Sequence, residues 1–182
     1  MVGQMSDKDL LARVAAGDKA AMKLIYQRHS GPLFHFIRNW VSDPHEAPDI
    51  MHETMLEVWR KAGRFEGRSA VKSWIFSIAR NKSIDRNRKS GRLVYQDTDI
   101  DIPDDIPDPE VLMSSTQDSE ALKDCIKGLS DAHRSVIHLA FFQDLPYKTI
   151  AEIENCPVGT VKTRMLHAKK LLMKCLVNKL KR

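Results

Sequence analysis

Apolar residues recur at three- and four-residue spacing along most of this chain, and strand-like alternation occurs nowhere in it. Ser6-Asp7-Lys8-Asp9 has the form of a capping box, predicting a helix over 10–16 that Gly17 stops. Asp18 is placed to cap a second helix over 19–29, with Ala21, Met22, Leu24 and Ile25 at helical spacing. Ser30-Gly31 predicts a break, and Pro32 suits the first turn of a third helix over 32–40. A fourth helix is expected over 47–62. Its apolar stripe is Ile50, Met51, Met55, Val58 and Trp59; its other face is Asp49, His52, Glu53, Glu57 and Arg60. On periodicity alone, such a charged face reads first as a solvated surface and only second as a docking one.

A glycine-flanked loop, 63–68, leads to Ser69 and a helix over 70–89. Its apolar positions are Val71, Trp74, Ile75, Ile78 and Ala79, and bases crowd the rest. Bases interleaved with aromatics make either a stacking platform for unpaired nucleotides or a core with solvated charges, and the pattern leaves both open. Residues 96–118 change character, with three prolines among dense aspartates, and read as a linker. Helical spacing resumes near Ser119 with Ala121, Leu122, Cys125 and Ile126. It continues after Ser130-Asp131 with Val136, Ile137, Leu139 and Ala140. A short helix over 147–153, a turn at Asn155-Cys156-Pro157 and a long basic helix then follow. Two helices joined by a tight turn, the second rich in Lys and Arg, predict a helix-turn-helix that lays its second helix in the major groove of DNA. The fold class expected is therefore all-α: two small helical domains, 1–92 and 119–182, joined by an acidic, Pro-rich flexible linker over 93–118.

Charge sharpens this division. Residues 1–96 hold 17 Lys/Arg against 10 Asp/Glu, residues 97–118 hold eight acids and no base, and residues 119–182 hold 12 bases against six acids. Two basic blocks flanking an acidic one suggest nucleic-acid contact at two places. No stretch approaches the ~20 apolar residues of a membrane span, and residues 1–10 lack the apolar run of a signal peptide. A soluble cytoplasmic protein without membrane insertion is expected. Three cysteines without a CxxC pair argue for reduced thiols rather than a disulfide framework or zinc cage. The histidines form no HExxH spacing, and no metal or other cofactor is implied.

Three segments, in order, carry a family resemblance. Residues 49–60 (DIMHETMLEVWR) resemble the core-polymerase-binding helix of bacterial sigma factors. Phe65-x-Gly67-x-Ser69 followed by Trp74-Ile75-x-x-Ile78-Ala79-Arg80-Asn81-x-x-x-Asp85 resembles their promoter-melting, minus-ten-reading segment. Residues 157–164 (PVGTVKTR) resemble their minus-thirty-five-reading helix. With only these two regions, the chain resembles the extracytoplasmic-function class of the sigma-70 family.

The resemblance implies core RNA polymerase, through the clamp helices of its largest subunit, and promoter DNA as partners. It also implies an anti-sigma partner and a stress or envelope signal. Asp49, Ile50, His52, Glu53, Leu56, Glu57 and Arg60 would bind polymerase, with His52 standing where the family usually has Gln. Arg64, Phe65, Ser69, Arg80, Asn81, Lys82, Asp85, Arg86 and Arg88 would serve the minus-ten element. Phe65 would wall a flipped base, Asn81 would read a base edge, and Arg80, Lys82, Arg86 and Arg88 would hold phosphates. Tyr147, Lys148, Gly159, Thr160, Lys162, Thr163, Arg164, Leu166, His167 and Lys169 would serve the minus-thirty-five element. Lys162, Thr163 and His167 would reach base edges, Leu166 a thymine methyl, and Arg164 and Lys169 phosphates.

Two other readings compete. A stand-alone helix-turn-helix regulator would bind duplex DNA without polymerase, but it leaves the 49–60 segment unexplained. A nucleic-acid enzyme needs a nucleophile with a base or a preorganised carboxylate cluster. Ser69 and Ser73 have no evident His partner, and the dense carboxylates lie in the linker, so no enzyme is expected.

Overall fold

The computed structural model describes residues 5–41, 43–89 and 119–180. Four helices build the first half: α1 (Asp7–Ala15), α2 (Lys19–Arg38), α3 (Glu46–Lys61), extended by a 3-10 turn over Ala62–Arg64, and α4 (Val71–Lys89). Four more, α5 (Ser119–Lys127), α6 (Asp131–Ile137), α7 (Tyr147–Glu154) and α8 (Val158–Leu180), build the second, with a π turn over His138–Phe142 after α6. No strand occurs among the described residues. The expected linker over 93–118 lies outside them.

Three capping predictions are met at the N-termini. Ser6 accepts from the Asp9 amide, Asp18 from those of Ala20 and Ala21, and Ser130 from that of His133. Gly17 stops α1 with φ +85°, a left-handed conformation that costs glycine little.

One element differs from expectation. Residues 19–29 and 32–40 are not two helices; α2 runs through Pro32 without a break. Interior proline costs ~3 kcal/mol. Continuity keeps Ala21, Ile25, His29, Leu33, Phe36 and Ile37 on one buried stripe. Full burial of Leu33, Phe36 and Ile37, at ~1.5–3 kcal/mol each, outweighs the lost backbone bond. Leu24, expected on the inner face, is 40% exposed.

In the first half α1, α3 and α4 pack on α2 around Leu10, Leu11, Ile25, Phe36, Ile50, Val58, Ile75 and Phe76. Three buried polar groups in this core are satisfied locally or across it: Thr54 Oγ1 donates to the Ile50 carbonyl at 2.7 Å, Ser83 Oγ to that of Ala79 at 2.9 Å, and the Asn87 amide to that of Trp40 at 2.9 Å. His29 Nε2 lies 2.8 Å from Asp7, yet burial pushes its pKa down. At neutral pH that contact is a hydrogen bond from a neutral ring rather than an ion pair.

The second half packs α6, α7 and α5 against α8 around Val136, Leu139, Ile150, Val161, Met165, Ala168 and Leu172. The expectation of reduced thiols is corrected here: Cys125 on α5 and Cys175 on α8 form a disulfide, with Cα atoms 5.8 Å apart. They are 50 residues apart in sequence, and only the packing of the two helices brings them together. The Cys156 sulfur accepts from Arg164 Nη1 at 3.8 Å.

The two halves also touch. α4 packs against α7, so the domains form one connected apolar cluster.

Candidate nucleic-acid and polymerase interfaces

The face of α8 is the simplest of the three. The turn before α8 is closed by Asn155 in the left-handed region, φ 50° and ψ 49°, which asparagine tolerates better than most residues. Val161, Met165, Ala168 and Leu172 bury the inner stripe at 0–5% exposure. That phasing leaves Lys162, Thr163 and Leu166 facing solvent, Leu166 at 53%. Gly159 and Thr160 lie in the first turn, where helix amides are free to meet a phosphate. Tyr147 and Lys148 open α7 beside it, Lys148 exposed. Three residues are more engaged than the sequence suggests. Arg164 is 3.6 Å from buried Glu154, His167 meets the His133 ring edge-on at 6.2 Å, and the Lys169 ammonium sits 5.6 Å over Phe141.

On the first domain, Phe65 packs against Trp74 with ring centres 5.2 Å apart. The concavity beside it, lined by Asp7, Lys8, Phe65, Gly67, Ser69 and Lys72, has room of about 270 Å³. α4 presents Asn81, Asp85 and Arg88 to solvent, and Arg64 is exposed on the preceding turn. Lys82, Arg86 and Arg80 are already paired. Lys82 meets Glu57 at 2.7 Å, and Arg86 bridges Glu46 and Glu53 at 3.3 and 3.2 Å. Arg80 Nε donates to Glu154 of the second domain at 3.1 Å and stacks over Trp40 at 5.7 Å.

α3 exposes Asp49, His52, Glu53, Leu56 and Arg60. Leu56 is 54% exposed and borders an open groove of about 540 Å³ with Met22, Tyr26, His52, Met55 and Trp59. His52 stacks on Tyr26 at 6.3 Å. Lys61 and Lys82 both donate to Glu57 and hold its carboxyl below the usual range. Ile50 is corrected: at 1% exposure it belongs to the core and presents nothing to a partner. The same phasing that exposes Asp49 and Glu53 turns it inward.

Four further residues are brought to the junction of the domains. Glu154, with its side chain wholly buried, accepts from Ser135 Oγ at 2.5 Å as well as from Arg80. His138 faces Asn39 at 2.8 Å and Phe36 at 5.8 Å, and Lys72 reaches the Gln143 carbonyl at 3.3 Å. Glu154 had a signal in the sequence: it is an acid at a position that continues the inward stripe of Ile150, Ala151 and Ile153. Asn39, Lys72 and His138 had none.

Residues 25–93 match the Sigma-70 region 2 family and residues 119–172 the Sigma-70, region 4 family. The chain is 30% identical to the RNA polymerase sigma-H factor of Pseudomonas aeruginosa, over 97% of its own length and 96% of the relative's. It is also 30% identical to the ECF RNA polymerase sigma-E factor of Haemophilus influenzae, over 94% and 96%. Among solved structures it is similar to the sigma factor RpoE from Bartonella quintana, determined in complex with the anti-sigma factor NepR. That match has a TM-score of 0.67 and 26% identity over 88% and 98% of the two chains. CnrH, determined in complex with the cytosolic domain of CnrY, shares the fold with a TM-score of 0.69 at 21% identity, over 94% of this chain and 97% of that one. The chain belongs to the extracytoplasmic-function sigma factors of bacterial RNA polymerase.

Proposed function

We propose the following division of labour for this sigma factor. Residues 1–92 dock on core RNA polymerase and open the minus-ten element, residues 119–182 read the minus-thirty-five element as duplex, and residues 93–118 tether the two. The observation that carries it is the sorting of the assigned side chains onto three separate exposed faces. Asp49, His52, Glu53, Leu56 and Arg60 share one side of α3; Asn81, Asp85 and Arg88 lie on α4 beyond the Phe65 concavity; Lys162, Thr163 and Leu166 mark the outer face of α8.

On this reading Leu56 and its groove supply the apolar centre of the polymerase contact, and the charges around it orient docking. Glu53 and Glu57 then change partners. As the clamp helices take them up, Lys82 and Arg86 are released toward phosphates, so polymerase binding prepares α4 for DNA. Phosphate contacts fix register without reading sequence, whereas Lys162 and Thr163 discriminate bases in the major groove. Each domain alone grips weakly, and the tether makes the second contact effectively intramolecular.

The solved relative held by an anti-sigma factor supports a similar partner here, seated over polymerase- or DNA-binding surfaces. The protein acts in the cytoplasm as an initiation factor and catalyses no reaction of its own. Adding it to core polymerase on genomic DNA tests the reading. Discrete promoter-specific transcripts are expected, and no gain over core enzyme alone would overturn it.

A further inference from the structure

Disulfides are unusual in the cytoplasm, where this protein acts on the reading above. Small thiols keep most cysteines reduced there, and the disulfides that do form are chiefly catalytic or redox-sensing. The bond between Cys125 and Cys175 therefore calls for a role. The fold sets the two Cα atoms 5.8 Å apart, within the span that a disulfide bridges without moving the backbone. Packing of α5 on α8 thus holds the pair in bonding position. Cys156, outside the disulfide, lies just before the other end of α8. It is roughly 28 Å from Cys175 at 1.5 Å of rise per residue, out of reach of either partner.

The two sulfurs are unequally reachable. Cys125 is 3% exposed, whereas Cys175 is half-buried, so a reagent from solvent meets Cys175 first. Exposed Lys174 and Lys179 flank Cys175 on α8, and exposed Lys123 and Lys127 flank Cys125 on α5. Asp124 is the acid between them, 3.8 Å from Lys127 and 2.8 Å from Lys179. Cations beside a cysteine favour the thiolate, the form that carries out exchange. The Cys175 thiolate attacks one sulfur of a small disulfide of the glutathione class, and a small thiolate leaves. The Cys125 thiolate then attacks the Cys175 sulfur of that mixed disulfide and expels the second small thiolate. The protein dithiol is oxidised, and the small disulfide is reduced to two thiols that carry off the two protons. Excess small thiol runs the same steps backwards.

What the bond encloses gives it a consequence. Its ends are 50 residues apart, and the loop between them holds α6, α7, most of α8 and every residue assigned to the minus-thirty-five element. α5 has only nine residues, too few for a helix to persist without packing. Apart from the disulfide, half-buried Leu122 and Ile126 tie it to α8 beside Leu172, Met173 and Leu176. The exposed Lys179–Asp124 pair adds little. Closing so long a loop restricts the unfolded chain, so the oxidised domain is the more stable. A firmer bundle keeps Val161, Met165, Ala168 and Leu172 buried, and their burial sets the outward phasing of Lys162, Thr163 and Leu166.

We infer that Cys125 and Cys175 are a thiol-oxidation site whose disulfide is a reversible lock on the duplex-reading domain, closed by small disulfides and opened by small thiols. This rests on the assignment of residues 119–182 to the minus-thirty-five element, and it gives that element a redox input.

The full chain tests it. Equilibrated in buffers running from reduced to oxidised glutathione, then alkylated and weighed, it should lose two alkyl groups on oxidation and regain them on reduction. A pair still reduced in oxidised glutathione, or still oxidised in excess reduced glutathione, would overturn the switch. Freed of glutathione and kept from air, the oxidised form should melt ~10 °C or more above the reduced one; equal melting would overturn the lock. Assembled with core polymerase and assayed near the melting temperature of the reduced form, the oxidised form should give several-fold more promoter-specific transcript. Equal yields would overturn the link to promoter use. Cys175→Ser should behave as the reduced wild type in every buffer, and a redox response kept by that variant would place the site elsewhere. Should Cys175→Ser not fold, the two forms of the wild type decide alone. No specific transcript from either form, with exchange and melting as expected, would overturn the sigma reading and leave the lock standing.

Discussion

The first and second domains solve the problem of carrying exposed charge in different ways. In the first, bases and acids neutralise one another across helices: Lys82 with Glu57, Arg86 with Glu46 and Glu53, Arg28 with Asp7. In the second, Lys162, Thr163 and Leu166 stand clear on α8, whose residues 158–180 include no acid. On the proposed assignment, one DNA-reading face is preformed while the other must be released. A preformed face suits docking on intact duplex. A face whose cations are engaged until polymerase takes the acids suits strand opening, which should not begin before the complex is assembled.

The comparison can be broken most severely in the cores. Phe36 is fully buried between Phe76 at 5.1 Å and His138 at 5.8 Å. Phe36→Ala should cost ~3–5 kcal/mol in a denaturant midpoint. The first domain should unfold earlier, and the contact with the second should loosen as well. A loss under ~1 kcal/mol would mean that Phe36 does not anchor both.

An effect of roughly 2 kcal/mol is expected from acid. Burial, and next the neighbouring His35, push His138 down to about 4; Asn39 and Gln143 are the polar groups beside it. Its ordinary pKa is ~6.5. The folded value is the lower, so the unfolded or opened chain takes up the proton first. Stability from the neutral ring is complete above ~6.5 and lost as pH falls toward 4, amounting to roughly 2 kcal/mol between pH 7 and pH 5. Melting temperature followed over that range should fall less for His138→Gln than for the wild type; equal slopes would deny the effect.

On the preformed face, Lys162→Ala should cost ~1–3 kcal/mol of discrimination at one base pair. Lys82→Ala, by contrast, should weaken open complexes on all promoters alike and reduce the salt slope of holoenzyme binding by about one. The two results exchanged would reverse the roles of the helices. The smallest effect concerns Lys61, one of two lysines on Glu57. Lys61→Ala should change stability by less than ~0.5 kcal/mol while leaving Lys82 on the carboxylate.

Much of this was legible in the sequence, for identifiable reasons. Caps and stripes are local, so Ser6, Asp18, Ser130 and the phasing of α3, α4 and α8 declared themselves. Pro32 misled because a local breaker was overridden by the tertiary gain of Leu33, Phe36 and Ile37. The Cys125–Cys175 pair and the Asn39–His138 contact depend on residues 50 and 99 positions apart, which no local pattern encodes. Ile50 was assigned to the interface because its segment matched a motif, although its own position on the helix turns it inward. Exposure, a tertiary property, separated Lys162 and Leu166 from Arg164.

Permanganate footprinting of open complexes tests the two-point grip most directly. With wild-type holoenzyme, unpaired thymines should appear around the minus-ten element, downstream of a protected minus-thirty-five element. With Asn81→Ala the upstream protection should persist while thymine reactivity falls; with Lys162→Ala protection and reactivity should be lost together and recover together at higher protein concentration. Reactivity unchanged in Asn81→Ala, or upstream protection unchanged in Lys162→Ala, would contradict the assignment of opening to α4 and placement to α8.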